Sequence, residues 1–200
     1  MAFNITQFRN ALPRDGARPN LFEVRMQFPS FAQVRGSSTD LEQRTSFLCK
    51  TAQIPGSTIG VVPVQYFGRE VKFAGNRTFA DWTVTIINDE DFIIRDAMER
   101  WMNGINSHRG NFRNAAALAP NTEAVRSGYT VQANVIQYGK VASVDNAPAL
   151  RRYSFIGMFP TDISPIDLDW GSNDSIEEFT VTFSYQWWEA VGAEGNLAIA

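Results

Sequence analysis

Residues 179–188 alternate strictly: Phe179, Val181, Phe183, Tyr185 and Trp187 fall on one side, Thr180, Thr182, Ser184 and Gln186 on the other. A period of two marks a β-strand with one face packed and one wetted, so a strand is predicted over 176–188. The same period recurs where Phe22, Val24, Met26 and Phe28 alternate with Glu23, Arg25 and Gln27, ending at Pro29. Further strands are predicted at 45–51, 61–66, 68–74, 80–87, 129–137 and 150–159, with turns at Ile54-Pro55-Gly56, Phe67-Gly68 and Gly75-Asn76. Residues 30–44, with Gly36, Ser37 and Ser38, read as a long polar hairpin or loop.

The period changes for one segment. Ile94, Ala97, Met98, Trp101, Met102 and Ile105 recur at helical spacing, which predicts a helix lying flat on a sheet. Asn88 or Asp89 is its expected cap, Asp91/Arg95 and Asp96/Arg100 its expected i,i+4 pairs, and Gly104 and Gly110 mark its exit into a polar loop over 111–128. Short, closely spaced strands with one helix predict a mainly β fold, an antiparallel β-sandwich or barrel with one flanking α-helix.

The wetted side of the last strand holds no lysine, arginine, aspartate or glutamate from Thr180 to Gln186, although solvent-facing positions are usually rich in charge. Lining a passage, packing against another subunit, or lying half covered by a loop each accounts for such a face. Residues 1–20 form a separate unit. Phe3, Ile5, Phe8 and Leu12 are spaced apolar anchors, and Pro13, Gly16 and Pro19 then interrupt regular structure, so an arm is expected there. The domain proper is expected over 21–188, followed by a small-residue tail over 189–200.

Two hundred residues, 44% hydrophobic and 12% aromatic, suffice for one well-filled core. A net charge of −3 leaves no electrostatic footprint for durable nucleic-acid binding. No apolar run approaches the ~18 residues of a membrane span, and a basic-then-apolar leader pattern is missing, so neither is expected.

The sequence carries little catalytic chemistry. One cysteine, Cys49, and one histidine, His108, give neither a disulfide nor a zinc set, and a Cys49/His108 dyad would have to join residues far apart in sequence. Asp167, Asp169, Asn173 and Glu178 match part of a calcium loop, but Gly171 and Ser172 occupy positions where that loop needs a ligand and a glycine. Asp89 and Asp91 read as negative charge near a helix start rather than as a hydrolase pair. The expectation is a non-enzyme without cofactor or metal.

Three segments carry a resemblance: ARPNLFEV (17–24), GREVKFAGNRTFADWTVTIINDEDF (68–92) and FIGMFPTDISPIDLDWGSNDSIEEFTVTFSYQWW (155–188). In that order, across 17–188, they resemble the tail tube proteins of contractile-tailed bacteriophages, the myoviruses, and most of all those of cyanobacterial and marine myoviruses. The resemblance implies a β-sandwich with a flanking helix, six copies to a ring, and rings stacked into a hollow tube whose inner strands join across subunits into one barrel. It implies a virion structural protein assembled in the host cytoplasm, with further copies of itself, the tail sheath protein, baseplate tube-initiating proteins, the tape-measure protein and the tail terminator as partners. DNA would be met only in transit, without membrane insertion. The inner tube of a phage-derived injection particle delivering protein effectors is the alternative. On this view Thr180, Thr182, Ser184 and Gln186 are candidates for the lumen or a subunit junction, and Phe3, Ile5, Phe8 and Leu12 for an inter-ring arm.

Overall fold

The computed structural model describes residues 4–12, 16–33, 38–113, 128–140 and 149–192. Strands β1 (Phe22–Met26), β2 (Cys49–Ala52), β5 (Trp82–Ile87), β6 (Val131–Tyr138), β7 (Ala149–Ile163) and β8 (Glu178–Ser184) form one antiparallel path in the order β1-β6-β7-β8-β5-β2. A further strand, β9 (Trp187–Gly192), also pairs with β7. Strands β3 (Ser57–Tyr66) and β4 (Arg69–Phe79) form a separate hairpin.

The long strand β7 folds this path into two layers. Its first half lies between β6 and β9, whereas its second half pairs with β8, Phe159 opposite Ser184 and Ile163 opposite Val181. The change of partner falls at Gly157, where φ is +67° and a Cβ would stand 2.8 Å from Cγ of Gln186. Only glycine fits both the backbone and that approach. Between the layers Trp82 stacks on Phe155 at 4.4 Å, and Phe155 meets Tyr185 edge-on at 5.0 Å. The two buried indoles are satisfied at their polar ends: Trp82 Nε1 donates to the Gln53 carbonyl at 2.8 Å and Trp101 Nε1 to the Tyr129 carbonyl at 2.7 Å.

Helix α1 (Ile5–Ala11) precedes the sheet, α2 (Ser38–Leu48) leads into β2, and α3 (Ile93–Ile105) follows β5. Helix α3 buries Ile94, Ala97, Met98 and Trp101, as its periodicity predicts. Its start differs from expectation. Phe92, in the left-handed region, is the cap, while Asn88 is buried and bonds Glu177 through both its backbone N–H and its side chain. The Asp96–Arg100 pair forms at 3.7 Å, but Arg95 pairs with Glu99 and Asp91 with Arg44.

Two further expectations need correction. Residues 38–48 are helix, where a polar loop and then a strand from 45 were predicted. Leu41 and Thr45 are the buried stripe, and the Thr45 hydroxyl donates to the Leu41 carbonyl at 2.8 Å. The final strand is not continuous over 176–188. It breaks at Tyr185–Gln186 and resumes as β9, which runs through Gly192 into the segment read as a tail. Residues 193–200, and 114–127 within the predicted polar loop, lie outside the described residues.

Candidate functional site

The layer formed by β2, β5, β8 and the second half of β7 has two unlike faces. Trp82, Val84, Ile86, Phe179, Val181 and Phe183 point into the core, and α3 packs on that side: Trp101 lies 6.2 Å from the Phe183 ring, and the Arg95 guanidinium sits 5.4 Å over Phe179. The opposite face carries hydroxyls. Thr83 stands opposite Thr182, Thr85 opposite Thr180, and Thr51 of β2 opposite Thr85. Thr161 of β7 donates its hydroxyl to the Thr182 carbonyl at 3.1 Å.

Charge enters this face only at its borders. Glu178, opposite Ile87, is paired by Lys50 at 2.5 Å, and Asp162 stands opposite Thr182 from β7. No cation without a partner carboxylate lies among these positions. Of the predicted residues, Thr180, Thr182 and Ser184 share the hydroxyl face. Gln186 does not, because it occupies the break after β8, donates its backbone N–H to the Ile156 carbonyl at 3.0 Å and lies against Gly157.

Among the described residues this four-stranded layer has two open edges. The strand path ends on β2 at one side. At the other, pairing with β6 stops at Met158, so among the described residues the stretch 159–163 of β7 has a strand neighbour on one side only. Open edges invite further pairing unless something covers them.

The β3–β4 hairpin carries an apolar surface that no other described residue covers. Val61, Val62, Val64, Phe73 and Tyr66 are exposed, and Phe67 at the tip is 93% exposed. Its root is tied down, with Phe79 against Tyr185 at 6.0 Å and Trp188 Nε1 donating to the Gly56 carbonyl at 3.2 Å. The sequence reading placed the Phe67-Gly68 turn but not the exposure of the hairpin, and the turn expected at Gly75-Asn76 is instead a register shift opposite Gly60, through which β4 continues to Phe79. Val61 and Val62 on successive positions, and so on opposite faces, were the signal.

The expected arm contains a short helix. Asn4 accepts the Thr6 N–H at 3.0 Å as its cap, and α1 has no buried residue. Ile5 and Phe8 are 80% and 68% exposed and Leu12 is exposed too, while Phe3 lies outside the described residues.

The remaining reactive groups have structural surroundings. Burial pushes the Cys49 thiol up to about 12, which keeps it protonated and unreactive at neutral pH. His108 is exposed, and its backbone N–H donates to Asn103 Oδ1. Asp169 Oδ1 accepts the Gly171 N–H at 3.0 Å, a local turn. Glu23 of β1 receives a two-pronged contact from Arg25 at 2.7 and 3.1 Å, together with the Tyr138 and Ser46 hydroxyls. Burial pushes its carboxyl upward, but those donors outweigh it and hold it below the usual range.

Residues 17–191 match the family of phage tail tube proteins. Tail tube protein gp19 of Enterobacteria phage T4 is 32% identical over 175 residues, covering 88% of this chain and 92% of that protein. The fold is shared with a chain of the anti-feeding prophage baseplate, solved with 6-fold symmetry, at a TM-score of 0.56 and 12% identity over 89% of this chain and 97% of that one. It is also shared with a chain of the sheath–tube complex of an extracellular contractile injection system, at a TM-score of 0.53 and 12% identity over 96% and 99% of the two chains. A mainly antiparallel β fold with flanking helices and a match along nearly its whole described length place the molecule: the chain belongs to the phage tail tube protein family.

Proposed function

We propose that the chain is a non-catalytic subunit that closes into hexameric rings, stacked as the hollow tube of a contractile phage tail. The layer β2-β5-β8-β7 forms the inner wall, with β2 of one copy beside residues 159–163 of the next. The observation that carries this reading is one sheet with a hydroxyl face, a packed opposite face and two open edges. Joining those edges around a ring removes both.

A bore lined by Thr51, Thr83, Thr85, Thr180, Thr182 and Ser184, with Asp162 and the Lys50–Glu178 pair at its borders, offers no unpaired cation to a phosphate. DNA affinity scales with phosphates neutralised, so such a wall lets DNA pass without gripping it. The same bore would hold the tape-measure protein before ejection. The arm, with Ile5, Phe8 and Leu12 exposed and Phe3 beside them in sequence, docks on an adjacent copy. A division into arm, sandwich and C-terminal tail follows from that role. Assembly takes place in the host cytoplasm, with sheath outside, baseplate proteins at one end and the terminator at the other.

The inner tube of a phage-derived injection system is the second reading, favoured by the fold shared with such a particle. The 32% identity to a phage relative supports the first. Negative-stain microscopy of the purified protein, with isolated baseplates as nuclei, tests the subunit role. Rings or tubes are expected; a dispersed monomer under both conditions would end it.

A further inference from the structure

The two open edges of the β2-β5-β8-β7 layer carry the same irregularity. On β2 the register passes from Cys49 opposite Ile86 to Thr51 opposite Thr85, so Lys50 is an extra residue without a partner on β5. On β7 it passes from Pro160 opposite Phe183 to Asp162 opposite Thr182, so Thr161 is the extra residue there. A bulge breaks the alternation of a strand and re-aims its side chains. Lys50 and Thr51 thereby both join the hydroxyl face, between core-facing Cys49 and Ala52. Thr161 and Asp162 join it between core-facing Pro160 and Ile163. Each edge thus presents one threonine and one charge, and the charges are opposite.

Strand direction then fixes how the edges meet. Neighbours in this layer are all antiparallel, so β2 and β7, the first and last of its strands, run in opposite senses. Rotation about a ring axis preserves each sense, and β7 of one copy meets β2 of the next antiparallel. Residues directly opposite each other share a face of the sheet. Setting Lys50 opposite Asp162 of the next copy also sets Thr51 opposite Thr161, Cys49 opposite Ile163 and Ala52 opposite Pro160. All of these pairs match, hydroxyl face with hydroxyl face and core with core. A slip of one or two residues either way sets a core-facing side chain against a hydroxyl-face one.

The charges are placed for such a junction. Lys50 bonds Glu178 of its own copy at 2.5 Å, yet its side chain remains 52% exposed. An ammonium has three donors, which leaves room for a second carboxylate. Asp162 is exposed and has no ion-pair partner among the described residues.

We infer that Lys50 latches adjacent subunits within a ring, its ammonium held between Glu178 of its own copy and Asp162 of the next, in the register that pairs Thr51 with Thr161. The inference rests on the tube reading and names the residues that close its rings. The latch also serves the passage. Lys50 is the one lysine or arginine among the described residues of this face, and two carboxylates keep it from a phosphate. Lys50 against Asp162 and Glu178 leaves the wall net negative.

The test uses the full chain with baseplates as nuclei, in a Glu178→Gln background, so that Lys50 can be reversed without facing its own carboxylate. Asp162→Lys and Lys50→Glu, each alone, should melt as the background form does, because both side chains are exposed. Each should need about tenfold more protein to form rings and tubes, since like charges then meet at every junction. Added salt should narrow that gap. Lys50→Glu/Asp162→Lys restores opposite charges and should recover the background concentration. A single variant that assembles at the background concentration, or a double variant no better than the singles, overturns the latch while leaving the tube reading intact. A wild type that forms neither rings nor tubes removes that reading and the latch with it.

Disulfide trapping in chains that keep Glu178 reads the register independently. Thr51→Cys/Thr161→Cys and Lys50→Cys/Asp162→Cys are assembled and oxidised separately. Successive antiparallel pairs alternate between wide and close spacing, so one of the two lies at the close separation of about 4.5 Å. Tubes of that variant should give a ladder of covalent multimers. Tubes in which neither variant cross-links above the wild-type background from Cys49 would contradict the register.

Discussion

Thr83 of β5 stands directly opposite Thr182 of β8, on the face that turns away from α3. Phe183, the next residue, faces the other way into Trp82 and Trp101, at 5.7 and 6.2 Å. Adjacent residues thus have separate surroundings, one on the open hydroxyl face and one in the core, and they should respond differently to mutation.

Thr182→Lys/Ser184→Lys, placed in every subunit, should leave the melting temperature of the subunit near wild type, since both positions lie on the open face. In assembled particles the added cations should slow DNA ejection at low salt more than at high salt, where screening is stronger. Ejection kinetics across a salt series read this out. Rates unchanged at every salt concentration would place the face off the DNA path.

Phe183→Ala should cost about 3–5 kcal/mol of folding stability, because the ring is fully buried and shared by the two tryptophans. Denaturant unfolding of the dispersed subunit measures it. A loss below about 1 kcal/mol would mean that the pocket collapses around the deletion.

Removal of residues 1–16 should leave subunit stability unchanged, because α1 has no buried residue. Polymerisation should suffer, since each anchor among Ile5, Phe8 and Leu12 that becomes buried on a neighbour contributes about 1.5–3 kcal/mol. Tube yield and tube melting temperature are the readouts. Tubes equal to wild type in both would take the arm out of assembly.

Glu23 links β1, α2 and β6 through Arg25, Ser46 and Tyr138. Its folded carboxyl titrates below the ordinary value of 4.5, so its stabilising contribution is complete above that pH and is lost as pH falls through the lowered value. Glu23→Gln should therefore flatten the acid limb of the stability–pH curve. Melting temperatures of both forms from pH 7 down to pH 2 test this; parallel curves would contradict it.

The core-facing strands and α3 were legible because Val24, Met26, Trp82, Val84, Ile86, Phe179, Val181 and Phe183 keep a strict period of two, and Ile94, Ala97, Met98 and Trp101 a helical one. Helix α2 was not, because its buried stripe includes a threonine while Phe47, which reads as core, is exposed. The Thr39-x-x-Glu42 spacing and the Asp40–Arg44 pair at 3.3 Å were the available signals. The break after Ser184 escaped notice because alternation continues through Trp187, while the cause lies on another strand, at Gly157. The hairpin's exposure was hidden for a different reason: Val61, Val62 and Phe73 read like core, and their exposure among the described residues follows from the hairpin standing apart from the main sheet.

The central claim is that the Thr83–Thr182 face lines the bore. A cryo-EM map of assembled tubes at side-chain resolution tests it directly. The account predicts Thr83, Thr85, Thr180, Thr182 and Ser184 on the inner wall, with β2 of each subunit paired to residues 159–163 of its neighbour. A map with these hydroxyls on the outer wall, or with the β1-β6-β7-β9 layer around the bore, would contradict it.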